Sequence, residues 1–202
     1  MNHFKNSTSV LLTAFTVVSA ALIEIQPSFA DSSFPTASRR TVVSRAITES
    51  EVLSAQKSWG EALVAISTTY DTKGIKAAKA LAGKVIDEAY GYQYGQVLFK
   101  PTLTVAPQTF RTTRAGALSY FVGGDSSFPR DAGFALGSWR KVEIKNAGIF
   151  ISGDTATTMG NVIITNKEGK ITTVDKTWQF VKDDNGKLRI ILHHSSLPHT
   201  AK

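Results

Sequence analysis

Cysteine is absent from the 202-residue sequence. Disulfide bonds and thiolate metal sites are therefore excluded, so the fold depends on its hydrophobic core. Clustered charge is missing as well, because the 23 Lys and Arg residues are scattered singly among 16 Asp and Glu. The formal net charge of +7 therefore indicates a solvated surface that mildly favours anions, and we expect no nucleic-acid partner.

Long apolar runs are also missing, apart from one run near the start of the chain. Residues 10–23 are apolar but are interrupted by Thr and Ser, and the run is shorter than the about 20 residues of a membrane-spanning helix. Lys5 precedes the run, and the triplet SFA at residues 28–30 has the small residues that a signal peptidase recognises. We therefore predict a signal peptide over residues 1–30, export to a periplasm or thylakoid lumen, and no stable membrane anchor.

The first half of the mature chain shows helical periodicity. Residues 31–47 lack any period and are predicted to form a flexible mature N-terminus. A capping box formed by Thr48 and Glu51 then begins a predicted helix over about residues 49–68. A second amphipathic helix is predicted to start at residues 71–72, and a third to cover residues 110–122.

Residues 138–197 instead alternate between apolar and polar side chains, which is typical of β-strands. The alternation shifts by one residue near 146–148, which predicts a β-bulge. Residues 125–137, rich in Ser, Gly and Pro, are predicted to form a surface loop and a candidate lid. These patterns predict an α+β fold in which about three N-terminal helices pack on a curved antiparallel sheet, within a single domain over residues 48–200.

The last predicted strand, LRIILHHSSLP at residues 188–198, is chemically the densest stretch of the chain. Alternation sends His193 and Ser195 to one face of the sheet and His194 and Ser196 to the other. Three aliphatic residues before them, Leu188, Ile190 and Leu192, occupy the opposite parity from His193. The sequence therefore leaves open which of the two polar pairs faces the core.

Three kinds of catalytic site can be considered for these side chains. A zinc site needs three converging ligands, whereas neighbouring histidines on a strand point apart, so no metal cofactor is expected. A Ser-His-Asp hydrolase could use Ser195, His193 and Asp175, but the sequence has no GxSxG nucleophile elbow. A proton-transfer enzyme similar to ketosteroid isomerase would need a buried carboxylate beside an acid such as Tyr120, and the candidate carboxylates lie in polar surroundings.

Four sequence pieces resemble one known family. They are ILHHSSLP at 191–198, FPRDAGFALGSW at 128–139, GNVIIT at 160–165 and DNGKLRI at 184–190. Together they are similar to the iota-class carbonic anhydrases, whose domain resembles the association domain of calcium/calmodulin-dependent kinase II and has the NTF2-like, or cystatin-like, cone fold. The resemblance implies a hydratase for carbon dioxide that works without a metal cofactor.

The resemblance also implies a site. The family's pocket falls on Thr102 in KPT, Tyr120 in GALSYF, and His193 and Ser195 in HHSS. Thr102, Tyr120 and Ser195 would bind bicarbonate through their hydroxyl groups, and His193 would carry the proton. The alternative is a non-enzymatic NTF2-like domain that self-associates or binds a small anion. In either case we expect a homodimer, because helices on one face of the sheet leave the other face free for a second copy.

Overall fold

Two α-helices and a five-stranded sheet make up residues 45–200, the part of the chain that the computed structural model describes. The signal peptide predicted for residues 1–30, and most of the N-terminal segment predicted as flexible, lie outside these residues. The elements in chain order are α1 (Glu49–Ala89), β1 (Leu98–Lys100), α2 (Arg114–Val122), a 3₁₀ helix (Phe134–Leu136), β2 (Trp139–Ser152), β3 (Thr155–Asn166), β4 (Ile171–Lys182) and β5 (Leu188–Ser196).

The predicted count of about three helices is wrong for the described residues, which contain two α-helices. The first two predicted helices are joined in α1, which starts at the predicted capping box and bends at Gly74. At this position φ is 76°, a left-handed conformation that glycine adopts without steric penalty. Thr72, near the predicted boundary, instead donates its hydroxyl to the carbonyl of Thr68, so the helix continues past it.

The strands form one sheet in the order β1-β5-β4-β3-β2. Strand β1 runs parallel to β5, and the other neighbouring pairs are antiparallel. The side chains of β3 and β4 that face the helices are buried, among them Val162, Val174 and Trp178. Trp59 of α1 packs edge-on against Trp178, with ring centroids 5.4 Å apart. The core therefore lies between the helices and one face of the sheet, and we call this the inner face.

Two of the three register shifts in the sheet are β-bulges that determine which side chains near the site reach the inner face. The register of β2 shifts between Asn146 and Gly148, which confirms the bulge predicted from the alternation of β2. In β5, Leu192 pairs with Gln179 whereas Ile190 pairs with Phe180, so Ile191 is an extra residue. This second bulge places Ile190 and His193 on the same face although an odd number of positions separates them.

Candidate active site

His193 points into the core rather than to solvent. It lies opposite Trp178 across β4 and opposite Phe99 across β1, and only 2% of its surface is exposed. The Phe99 ring stacks on the imidazole at a centroid distance of 4.3 Å. Burial, reinforced by the nearby charge of Lys176, holds the pKa of His193 well below its ordinary value. The imidazole is therefore neutral at physiological pH.

Both ring nitrogens of His193 have hydrogen-bonding partners. The Oη of Tyr90 lies 2.9 Å from Nδ1, and the Nζ of Lys176 lies 2.6 Å from Nε2. Tyr90 in turn accepts a hydrogen bond of 3.0 Å from the indole N–H of Trp59. One continuous chain of buried polar contacts thus runs from α1, through the residue after its end and through β5, to β4.

Lys176 supplies the amine of this chain. It lies on the inner face of β4, with its Nζ 4.9 Å from the ring centroid of Trp59 and 5.4 Å from that of Trp178. Among residues 45–200 no carboxylate lies within ion-pair distance of it. Burial lowers the pKa of Lys176 to about 7, because a charged amine is poorly solvated between aromatic rings.

Three hydroxyl groups meet beside His193. Ser195 follows it on the same face and is 1% exposed, and its Oγ lies 2.5 Å from the Oγ1 of Thr102. Thr102 follows the end of β1 by two residues. Because β1 runs parallel to β5, this position lies within reach of Ser195. Tyr120, on the last turn of α2, stacks on Phe134 with centroids 5.5 Å apart. Burial raises the pKa of Tyr120, although hydrogen bonds from Leu103 and Thr102 oppose that shift, so its hydroxyl keeps its proton.

A buried ion pair connects the two segments around this cluster. Arg111 donates from Nε and a terminal nitrogen to the two carboxylate oxygens of Asp131, at 3.1 and 2.5 Å, and both side chains are almost fully buried. Arg111 also lies over the ring of Phe128, 4.6 Å from its centroid. The pair ties the segment that carries Thr102 to the loop predicted as a lid. A cavity of about 290 Å³ lies between the same segments, and its lining includes Leu103, Arg111 and Asp131.

The structure brings together the predicted residues Thr102, Tyr120 and Ser195. His193 lies beside them, but its hydrogen-bonding partners are Tyr90 and Lys176. Sequence reasoning missed Lys176 and the contacts of Trp59 and Tyr90. Lys176 did leave a signal, because it shares the parity of buried apolar residues in β4, including Val174, Trp178 and Phe180.

The other site types that the sequence allowed do not match the geometry. Asp175 faces away from His193 and accepts a hydrogen bond of 2.9 Å from Asn161, so the Ser-His-Asp arrangement is wrong. His194 also lies on the opposite face, where it is exposed. Within the described part of the chain, no three His, Cys, Asp or Glu side chains are grouped so as to hold a metal ion.

The fold and this buried cluster define a class, an α+β fold with a buried polar site between its helices and its sheet. A putative calcium/calmodulin-dependent protein kinase II association domain from Xanthomonas campestris shares this fold at 24% identity and a TM-score of 0.50, over 75% of this chain and 88% of that chain. Residues 50–197 match the family described as metal-independent carbonic anhydrase. The chain belongs to this family, as its motifs predict.

Two relatives agree with this assignment. A metal-independent carbonic anhydrase of Nostoc sp. (strain PCC 7120 / SAG 25.82 / UTEX 2576) is 70% identical over 203 residues, which span 98% of this chain and 99% of that protein. The crystal structure of an iota-carbonic anhydrase from a cyanobacterium, complexed with bicarbonate, is 78% identical with a TM-score of 0.78, over 79% of this chain and 98% of that chain. The enzyme, not the non-enzymatic alternative, is thus the correct interpretation, and its reaction is the reversible hydration of carbon dioxide.

Proposed function

We propose that this carbonic anhydrase binds bicarbonate among the hydroxyl groups of Thr102, Tyr120 and Ser195. The observation that carries the proposal is that Thr102, in the segment after β1, contacts both Ser195 of β5 and Tyr120 of α2. Three hydroxyl groups can surround one trigonal anion and donate hydrogen bonds to its oxygens. The 78% identical cyanobacterial structure was determined with bicarbonate, which supports the same ligand here.

Catalysis in this proposal depends on charge stabilisation at a buried site. Carbon dioxide is apolar and suits the aromatic surroundings formed by Phe99, Phe134 and the Tyr120 ring. As water adds to its carbon, negative charge grows on the oxygens, and preorganised hydroxyl donors stabilise that charge. His193, the neutral imidazole next to Ser195, orients the groups that handle the proton that hydration releases.

Activation of water is the demanding step of the reaction. A bound metal ion lowers the pKa of water from about 15.7 to about 7, whereas general-base help from a side chain contributes about 10²–10⁴-fold. We therefore expect a moderate turnover, well below the diffusion limit.

Removing a single hydroxyl tests the proposed site. Tyr120→Phe keeps the buried ring and deletes one donor, so hydration should fall by about 10²–10³-fold while the melting temperature stays close to wild type. Stopped-flow hydration assays with thermal melts would measure both. A folded Tyr120→Phe enzyme with wild-type turnover would contradict the proposal.

The two histidines provide a matched pair for the same assay. His193 faces the site whereas His194 is exposed on the other face, so His193→Gln should reduce turnover far more than His194→Gln. If the two variants lost activity equally, or only in proportion to stability, the site would lie elsewhere.

Export and self-association complete the proposed function. We place the enzyme in a periplasm or thylakoid lumen after removal of residues 1–30, which the mass of the mature protein would test. No helix among the described residues has the length and apolarity that a membrane crossing needs. We also propose a homodimer, since the sheet face opposite the helices exposes Phe150 and Met159.

A further inference from the structure

Two buried lysines lie on the inner face of β4, and they differ in their partners. Lys182 is held by the carboxylate of Glu51 at 2.6 Å and by the carbonyl of Ala46 at 2.7 Å. Lys176 has the neutral His193 as its partner, at 2.6 Å. A buried cation normally has a counter-ion, because an uncompensated charge in a low-dielectric site is strongly unfavourable. In its ammonium form Lys176 would have no such counter-ion among residues 45–200, so we look for the anion in what the site binds.

We propose that the amine of Lys176 takes up the proton released by hydration and then, as an ammonium, becomes the counter-ion of bicarbonate. This inference rests on the proposed binding of bicarbonate by Thr102, Tyr120 and Ser195. In the step a C–O bond forms between water and carbon dioxide, an O–H bond of the water breaks, and an N–H bond forms on Lys176. Carbon dioxide, water and a neutral amine thus become bicarbonate and an ammonium, with atoms and charge balanced.

The position of Lys176 on the sheet fits this role. It is the cross-strand partner of Ser195, and both side chains point to the inner face. Opposite side chains of an antiparallel pair have Cβ atoms about 4.5–5.5 Å apart, so Lys176 stands beside the hydroxyl cluster. On its other side the partner is Gly160 of β3, which contributes no side chain to crowd the amine.

His193 has a positioning role in this scheme. Its Nδ1 faces Tyr90 and its Nε2 faces Lys176, so neither nitrogen is free to accept a proton from water directly. An ammonium can only donate hydrogen bonds, so once Lys176 is protonated Nε2 of His193 must accept and the ring proton must sit on Nδ1. His193 thereby stabilises the ammonium and holds it next to the site.

The surroundings of Lys176 keep its amine titratable near neutral pH. The side chains packed around it are aromatic or uncharged, and burial brings the pKa of Lys176 to about 7. Asp175, the preceding residue of β4, lies on the outer face, and Asp131 is bound to Arg111. The polar groups next to it are Nε2 of His193 and, as its cross-strand partner, Ser195 of β5, and Tyr90 after α1 lies on the other ring nitrogen of His193.

The direction of the pH dependence follows from the required protonation states. Hydration needs the neutral amine, so its rate should rise with pH through about 7. Dehydration of bicarbonate needs the ammonium, so its rate should rise as pH falls through the same range.

Lys176→Met and Lys182→Met form a matched pair that tests the inference. Lys176→Met should lose about 10²–10⁴-fold in hydration, and the residual rate should no longer change with pH around 7. Lys182→Met removes the other buried amine, about 20 Å away along β4, and should keep the wild-type pH profile even if it is less stable. A folded Lys176→Met enzyme that retained the wild-type rate and pH profile would overturn the inference.

A measurement on the unmodified enzyme covers the case in which Lys176→Met fails to fold. Calorimetric titration with equilibrated bicarbonate, in buffers of different ionisation enthalpy, reports proton uptake on binding. Above pH 7 binding should take up about one proton per anion, and below the pKa of Lys176 this uptake should vanish. Binding without uptake at high pH would overturn the inference.

The outcome also separates this inference from the proposed site. If Tyr120→Phe abolishes hydration but Lys176→Met does not, the inference fails and the hydroxyl site stands. If Tyr120→Phe has wild-type turnover, the site itself is misplaced.

Discussion

At the scale of single residues, Lys176 couples the site to the stability of the fold. In the unfolded chain a lysine has a pKa of about 10.4, whereas burial lowers that of Lys176 to about 7 in the folded state. Between these values the unfolded chain binds a proton that the folded chain does not. The free energy of unfolding should therefore rise with pH across this window, while below about 7 both states are protonated and the penalty is constant.

Lys176→Met should remove this part of the pH dependence. We expect the wild-type protein to gain more stability than the variant between about pH 7.5 and 9.5, with Lys182→Met resembling the wild type. Denaturant unfolding at the two pH values measures the difference. Equal gains in wild type and Lys176→Met would show that the amine is not desolvated in the folded protein.

The residues of the site differ in how far the sequence could predict them. Thr102, Tyr120, His193 and Ser195 came from family resemblance, because nothing local marks a threonine behind a proline as part of a pocket. Lys176 could have been found from its parity among apolar neighbours in β4. The hydrogen bond between Trp59 and Tyr90 spans 31 residues and depends on the packing of α1, so no local pattern could indicate it.

At the scale of elements, the two bulges show when alternation is informative. In β2 the apolar side chains change parity across a polar segment, and this change revealed the bulge at residues 146–148. In β5 aliphatic residues occupy both parities before His193, so the extra residue Ile191 left no trace in the pattern. The orientation of His193 and Ser195 on β5 therefore required the tertiary structure.

Helix α1 shows a different limit of sequence patterns. Its capping box and apolar stripe were predicted, but the bend lies at Gly74 and not at residues 71–72. Asp and Thr favour caps yet are tolerated inside a helix, whereas φ of 76° strongly favours glycine. The conformational requirement, rather than cap preference, decided the position of the bend.

The bulge of β2 depends on the absence of a side chain at Gly160. A Cβ at this position would lie 2.2 Å from the carbonyl oxygen of Lys145 and 2.8 Å from the Cα of Asn146. Backbone atoms cannot move aside as a flexible side chain does, so Gly160→Ala should destabilise the protein by about 1–3 kcal/mol. Thermal or denaturant unfolding would measure the loss.

Gly148 is the control for this prediction. It lies in the same bulge, but a Cβ there would meet no atom within 4 Å. Gly148→Ala should therefore leave stability nearly unchanged. Equal losses in the two variants would mean that backbone flexibility, and not the close approach at Gly160, is responsible.

At the scale of the whole molecule, the two faces of the sheet differ in burial and composition. The inner face carries Lys176, His193 and Ser195 under the helices, where aromatic packing excludes water and strengthens electrostatic interactions. The outer face carries polar residues together with exposed apolar side chains. A second copy on the outer face would leave the chemistry undisturbed.

This division predicts a homodimer through the outer face. Phe150 on β2 is 71% exposed and Met159 on β3 is 61% exposed, and both point away from the helices. Phe150→Asp should therefore shift the protein to monomers, because a carboxylate buried between two sheets would be poorly solvated. Ile75→Asp, at an exposed apolar residue of α1, should leave the assembly unchanged. Light scattering at micromolar concentration measures the masses, and a monomeric wild-type protein, or a dimer disrupted by Ile75→Asp alone, would contradict a sheet-to-sheet interface.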